Sequence, residues 1–565
     1  MRSFYLLAAL HVPWVATFSF NGYDLGFHGT FPRQHFHSVD FEPPKTKITK
    51  WNDQCDNGYL FLTPRGPLVT DAARGPVISD PKGNLVWMNN DKFAQALNFN
   101  VQSYKGKDYL TFWTKVGEGL KGDSHEFRIT PQGTALITIY NKHEADCTEL
   151  GLGKSCWIQD GLFQEIDIET GNLIFEWRAT DHISMNDVFS SPSMKDGHGK
   201  SKEDAFDFFH INSVDKTEEG DYIISARYMH AVVCISGKTG DILWQLGGKN
   251  NEFNDLNHAL DFAWQHHVTW HGNNTLTLFD NHANNVFHMP SSHSKGMLIH
   301  LDMDSKTARL IQKFVHPDKI LNVSQGSVQL VPESGNVLVG FGNSPTYIEY
   351  APNGHVLCAA HFAPHLLFEI IDFGFVKSYR VFKHPWVGRP DTVPDVMVKK
   401  DKVYVSWNGA TEVKGWRLES AEISEASDDD FVTIQSRGRE GFETAFDLPK
   451  HKHDRYVRIV ALDASENIMA QSAVVLASPP SSSFWPTFFT LLFTLSLLTL
   501  LVFIVVSVSR QRGSRWLERL PLPRLPHSPQ LHSLKTRIYT TIKRGARGSL
   551  RDWEADPLLL NEREA

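Results

Sequence analysis

The run Asp80-Pro81-Lys82-Gly83-Asn84-Leu85-Val86-Trp87 decides how this chain is read, because it returns. It comes back as Asp167-Ile168-Glu169-Thr170-Gly171-Asn172-Leu173-Ile174-Phe175-Glu176-Trp177 and as Ser236-Gly237-Lys238-Thr239-Gly240-Asp241-Ile242-Leu243-Trp244. Looser copies occupy 302–310 and 351–357. In each copy alternating apolar residues precede and follow the turn. That pattern is a β-hairpin, with glycine where the backbone needs φ > 0. A second hairpin alternates with the first, around Gly106, Gly133, Gly220, Gly272 and Gly335. Two hairpins make a four-stranded sheet, and repetition at roughly 40–70 residues reads as the blades of a β-propeller. One blade cannot bury both of its faces, so a closed ring of blades is the economical arrangement.

Working outward, six blades fit between about 57 and 385, within a propeller domain assigned to 30–390. The second blade is short, since about a dozen residues separate Trp113 from Ser124, too few for an outer hairpin. The stretch 391–478 carries shorter alternating strands, among them Val403-Tyr404-Val405-Ser406-Trp407, and predicts a small immunoglobulin-like sandwich. The expected fold is therefore all-β: a six-bladed β-propeller, then an immunoglobulin-like sandwich, then one C-terminal transmembrane helix.

That helix is expected at 484–508, an uncharged run long enough to cross a bilayer core of about 30 Å. Arg510, Arg512, Arg515 and Arg519 follow at once and place the C-terminal side in the cytosol. The tail, 510–565, is Pro-rich, reads as disordered, and ends in an acidic dileucine-like pattern at Leu558-Leu559. Residues 1–20 read as a signal peptide or an uncleaved anchor. The expectation is a single-pass membrane protein of the secretory pathway with its propeller lumenal or extracellular.

Composition agrees. The chain has 565 residues, 41% hydrophobic and 21% charged, which excludes wholesale disorder and a polytopic membrane protein. A formal net charge of −8 disfavours a nucleic-acid binder. Of five cysteines only Cys147 and Cys156 are close in sequence, and they are the expected disulfide of an oxidising compartment. Asn273 and Asn322 head glycosylation sequons.

Three inner hairpins begin with histidine: Ser124-His125-Glu126, Phe209-His210-Ile211-Asn212 and Gln265-His266-His267. Arg227 ends the strand that follows His210. Repetition at one point of the repeat would bring these side chains to one axial site. Neutral histidines can ligate a metal, but Arg227 would oppose a cation and no nearby carboxylate set completes a shell. An oxyanion fits better: arginine matches sulfate or phosphate oxygens, one histidine can attack sulfur or phosphorus, and another can move the proton.

The runs Asp207-Phe208-Phe209-His210-Ile211-Asn212-Ser213, Ser225-Ala226-Arg227, Trp264-Gln265-His266-His267 and Leu278-Phe279-Asp280-Asn281 resemble the arylsulfate sulfotransferase (arylsulfotransferase) family. The resemblance is closest to its fungal-type, membrane-anchored branch and covers roughly 30–478. It implies a six-bladed propeller that moves a sulfuryl group from an aryl sulfate to a phenol. The transfer passes through a sulfo-histidine and needs no nucleotide donor or other cofactor. By motif, His266 matches the histidine that takes the sulfuryl group. His210 and Arg227 match groups that hold sulfate oxygens and assist proton transfer. His125, Asn212 and His267 are the substrate-binding candidates, and the order of His266 and His267 leaves the nucleophile open by one residue. Two other functions stay open: a non-catalytic anchored propeller that binds a ligand or partner, and a natural-product tailoring enzyme using the same pocket.

Overall fold

The computed structural model describes residues 22–477, apart from 91–92, 94–95, 115–121, 285–292, 369–371 and 449–454, together with 496, 498 and 499. The leader at 1–20, the tail at 510–565 and nearly all of the span at 484–508 lie outside the described residues. Among the described residues no helix is long and apolar enough to cross a membrane. From 22 to 477 the regular elements are β-strands and single 3-10 turns, so this body is all-β.

Six sheets carry the repeat, antiparallel except for two short added strands, Phe206–Asp207 and Asn254–Leu256, which pair parallel. Their leading strands are Leu97–Tyr104 (β1), Gly122–Ile129 (β2), Ile211–Lys216 (β3), His266–Trp270 (β4), Ser327–Leu330 (β5) and Val381–His384 (β6). Each touches the next, and β6 returns to β1, so the six contacts close a cycle. The repeated turns stand where the sequence put them: Gly83 and Gly240 reverse the chain at φ 82° and 80°. Sheets of this kind are covered on both faces by neighbours. Tyr222–Ala226 and Ala231–Ile235 are accordingly buried at every position and read as continuous apolar runs rather than alternating ones.

The repeated tryptophan has a specific job. Trp177 is buried between the sheets led by β2 and β3, in one cluster with Phe163, Phe206, Phe208, Phe209 and Tyr222. Its Nε1–H donates to Gly240 O of the neighbouring sheet's turn at 3.1 Å. Each fully buried large apolar side chain contributes about 2–3 kcal/mol.

Two features depart from a simple string of blades. The sheet led by β1 holds only two strands among the described residues, Leu97–Tyr104 and Lys107–Trp113. The sheet led by β6 is assembled from both ends of the domain: β6 pairs with Tyr59–Leu62, which continues into Val77–Ser79 and Leu85–Met88. Just before it, Lys47–Lys50 adds to the outer edge of the β5 sheet beside Val356–His361. Cys55, between these two N-terminal strands, is bonded to Cys358.

Residues beyond 390 form two further antiparallel sheets with a shared core of Val403, Val405, Trp416, Leu418, Phe446, Val457 and Ile459. The edge strand Asp395–Lys399 alternates exposed and half-buried residues, as a one-sided sheet requires. Asn408 fastens this part to the sheet led by β6, accepting from Met88 N at 3.0 Å and donating to Met88 O at 2.9 Å.

Candidate active site

The leading strands deliver His125, His210 and His266 at their starts, all buried. His125 lies on β2, and Asp123 two residues earlier bonds both its backbone N–H and its Nδ1. His210 precedes β3 with φ 54°, a left-handed conformation that costs a non-glycine residue energy and is held by its surroundings. Its Nδ1 bonds Asp207, three residues back. Two aspartate–histidine pairs thus stand together, and their rings are 5.0 Å apart and nearly perpendicular. Tyr140 lies 5.5 Å from the His125 ring and 5.7 Å from the His210 ring, Tyr228 lies 5.0 Å from His210, and Tyr379 lies 5.8 Å from His125. Each of these carboxylates holds the Nδ1 of its own histidine.

The two aspartates are both largely buried, but their proton affinities are pushed apart. Burial raises Asp207 to about 7, against the pull of Arg227 and His125. Burial acts on Asp123 too, but the charge and hydrogen bonds of His125 outweigh it and bring its carboxyl below the ordinary range. Paired groups with separated proton affinities are a common signature of acid–base work. The Tyr140 and Tyr228 hydroxyls are raised well above their usual value, chiefly by burial, and so stay neutral.

Arg227 opens the 3-10 turn Arg227–Met229 and is 1% exposed. Its guanidinium lies over the rings of Tyr228 and Trp264, and Nη2 donates to Val323 O at 2.9 Å. His266 meets the same segment two residues on: Gln325 N donates to its Nε2 at 3.2 Å. Gln325 Oε1 in turn accepts from Arg65, which lies over Tyr379. The 322–326 segment therefore touches both Arg227 and His266, and Tyr379 links this floor back to His125. His125 and His210 meet directly, and the 322–326 segment, Arg65 and Tyr379 connect His266 to them.

The other candidates fall elsewhere. His267 (φ 53°) accepts from Val328 N at 3.2 Å and packs edge-on against Phe382. Burial, with Arg380 and Arg128, holds it well below the usual imidazole range, so it is a neutral core residue facing β5 and β6. Asn212 is fully buried, donates to Gln265 O at 2.8 Å, and accepts through its backbone from Arg380 at 3.2 Å. Arg380, just before β6, also bonds the buried Glu126 of β2 at 2.9 Å. Cys147 and Cys156 are bonded to each other. Asn273 is exposed, whereas Asn322 is fully buried and its side chain accepts from Ser344, so the folded chain has no room for a glycan there.

Sequence reasoning gave no site role to Asp123, Asp207, Tyr140, Tyr228, Tyr379, Asn281 and Gln325, although Asp207 and Asn281 lie in runs that carry the resemblance. The short spacings in Asp123-Ser124-His125 and Asp207-Phe208-Phe209-His210 were the available signal. Among the described residues no group of three or more His, Cys, Asp or Glu is placed to hold a metal. A cavity of about 390 Å³ lined by His28, Arg33, His35 and Lys45 shares no side chain with this cluster, and Arg33 there is already paired with Glu42.

Residues 100–363 match the family described as arylsulfotransferase (ASST). No curated protein matches the chain. Solved structures give distant likenesses. A protein of unknown function from Bacteroides caccae is 11% identical, with 58% of this chain and 98% of that one covered, at a TM-score of 0.32. Virginiamycin B lyase from Staphylococcus aureus is 10% identical, with 62% and 84% covered, at 0.21. The periplasmic gluconolactonase of Pseudomonas aeruginosa is 10% identical, with 74% and 96% covered, at 0.23. At such scores these likenesses decide nothing about the chemistry.

Proposed function

Starting from residues 100–363 as an arylsulfotransferase-family domain, we propose that this chain is a six-bladed propeller enzyme. It moves a sulfuryl group from an aryl sulfate to a phenol through a sulfo-histidine. The family supports aryl sulfotransfer in general. The observation that carries the finer reading is the meeting of two aspartate-held histidines beside buried Arg227, which shares the 322–326 segment with His266.

In the first half-reaction His266 Nε2 bonds to the sulfur, the bond from sulfur to the aryl oxygen breaks, and the phenolate leaves with its electron pair. It takes a proton from the His125–His210 pair, whose imidazolium the aspartates stabilise. In the second half the acceptor phenol returns a proton to that pair as its oxygen bonds to sulfur and the N–S bond breaks. Arg227 presents its fork to the sulfuryl oxygens, where negative charge is greatest. The two disulfides support an oxidising compartment, and with it the secretory placement expected from the sequence.

Turnover of a chromogenic aryl sulfate with added phenol tests the proposal. We expect His266→Ala to lower kcat by about 10³-fold or more and Arg227→Ala by about 10²-fold. A wild-type protein that binds aryl sulfates without turning them over would point instead to a non-catalytic binding role.

A further inference from the structure

Building on His266 as the group that takes the sulfuryl, we propose that Asn281 is its positioning residue and, with the Gln325 backbone, locks the ring in one tautomer. The locked form carries the proton on Nδ1 and the electron pair on Nε2.

The argument runs from both sides of the ring. His266 Nδ1 lies 2.6 Å from Asn281 Oδ1. Which end of the Asn281 amide faces the ring is settled by its other partners. Asn281 Nδ2 is 3.1 Å from Asn322 O and 2.9 Å from Gln325 O. Both are carbonyls and can only accept, so the amide nitrogen must face them and the oxygen must face His266. An amide oxygen also only accepts, so the proton of that contact belongs to His266 Nδ1. On the far side, the Gln325 N–H can only donate, and it lies 3.2 Å from Nε2. Nε2 must therefore carry the electron pair. Protonating both nitrogens would set an Nε2–H against the Gln325 N–H.

The surroundings leave little freedom to rearrange. Asn281 and Gln325 are both fully buried. Ser294 Oγ accepts from Asn322 N and donates to Asn281 O, both at 2.7 Å. Gln325 stands at φ 65°, which costs a non-glycine residue energy, and Gly326 follows at φ 110°, where a glycine is at ease. The tautomer selected keeps its proton on Nδ1 and its electron pair on Nε2, and that pair reaches sulfur only when the bond from Gln325 N–H is given up as the sulfuryl group takes its place.

The test uses full-length protein labelled with ¹⁵N-histidine, with the His266 signals identified by their loss in His266→Gln. We expect wild type to show a protonated Nδ1 and a bare Nε2. Asn281→Leu removes the acceptor, and we expect the proton to move to Nε2 in a large fraction of molecules. With it kcat should fall by about 10²-fold while KM changes little. Asn281→Asp keeps an acceptor toward Nδ1 and should retain the Nδ1–H signature, although its second oxygen loses the bonds that Nδ2 made to the Asn322 and Gln325 carbonyls. Wild type with its proton on Nε2, or a folded Asn281→Leu protein with an unchanged tautomer, would overturn the proposal. A wild-type protein that shows the Nδ1–H form yet turns over no aryl sulfate would uphold the lock and overturn the sulfuryl-transfer reading alone.

Discussion

A hydroxyl has one proton to give, and Ser344 stands between two oxygens. Its Oγ is 2.6 Å from Asn322 Oδ1 and 2.6 Å from Asp372 Oδ2. The oxygen end of the Asn322 amide faces Ser344, since it also accepts from Ser344 N at 3.0 Å. The second contact then needs a proton from the carboxyl. Asp372 supplies it: burial raises its pKa to about 7 despite the bonds from Ser344 and Gly374 N. An acid raised this way holds its proton in the folded chain while the unfolded chain, near 3.8, has lost it. Its contribution to stability is therefore complete below about pH 4 and fades as pH rises through 7. The linked free energy is about 4 kcal/mol at most. Asp372→Asn places an N–H toward Ser344 and keeps the oxygen that accepts from Gly374. We expect this variant to lose much of the decline in unfolding free energy between pH 4 and pH 8, read from urea titrations. Parallel profiles for the two proteins would refute a protonated Asp372.

At the scale of elements, the repeat was legible because hairpins are local. A glycine with positive φ, a two-residue alternation and a tryptophan after the turn lie within a dozen residues of one another, and they fold as they read. The site was half legible. Histidines at strand starts announce themselves, but the direction of each ring does not. The register slips between His266 and Thr269, and that irregularity, with φ 53° at His267, breaks the alternation that would have sent the two neighbours to opposite faces. The aspartate partners could have been found from their spacing. Asn281 is harder, since it lies just past the paired strand, fifteen positions from His266. The turn at Gly326 is the element on which the floor of the site depends. A Cβ there would lie 2.3 Å from the Phe279 ring, at a φ of 110°. Phe279 is fully buried in the core behind it and cannot retreat. Gly326→Ala should destabilise the fold by about 2–4 kcal/mol and lower turnover in whatever folds, measured by thermal unfolding and aryl sulfate assay together. An unchanged midpoint with full activity would show that the turn is not constrained as described.

For the whole molecule the least legible feature was closure. No local pattern tells that Tyr59–Leu62 pairs with Val381–His384, or that Cys55 joins Cys358. The two disulfides differ accordingly. Cys147–Cys156 spans 9 residues and Cys55–Cys358 spans 303. Chain entropy assigns them about 3 and about 6 kcal/mol at 25 °C. Replacing Cys55 and Cys358 by serine should thus lower the unfolding midpoint more than the same change at Cys147 and Cys156. The reverse order would place the strength of the ring elsewhere than in its seam.

That seam also sets a timetable for biosynthesis. The strand at Tyr59–Leu62 leaves the ribosome early, while the partner that seals it, Val381–His384, begins 319 residues after Leu62. At about 5–20 residues per second, the nascent arc waits roughly 15–60 s with a bare apolar edge. Throughout that interval it is exposed to misassociation with other growing chains. A chaperone that masks the first strand until the last one emerges would raise the yield of this protein without touching its final stability.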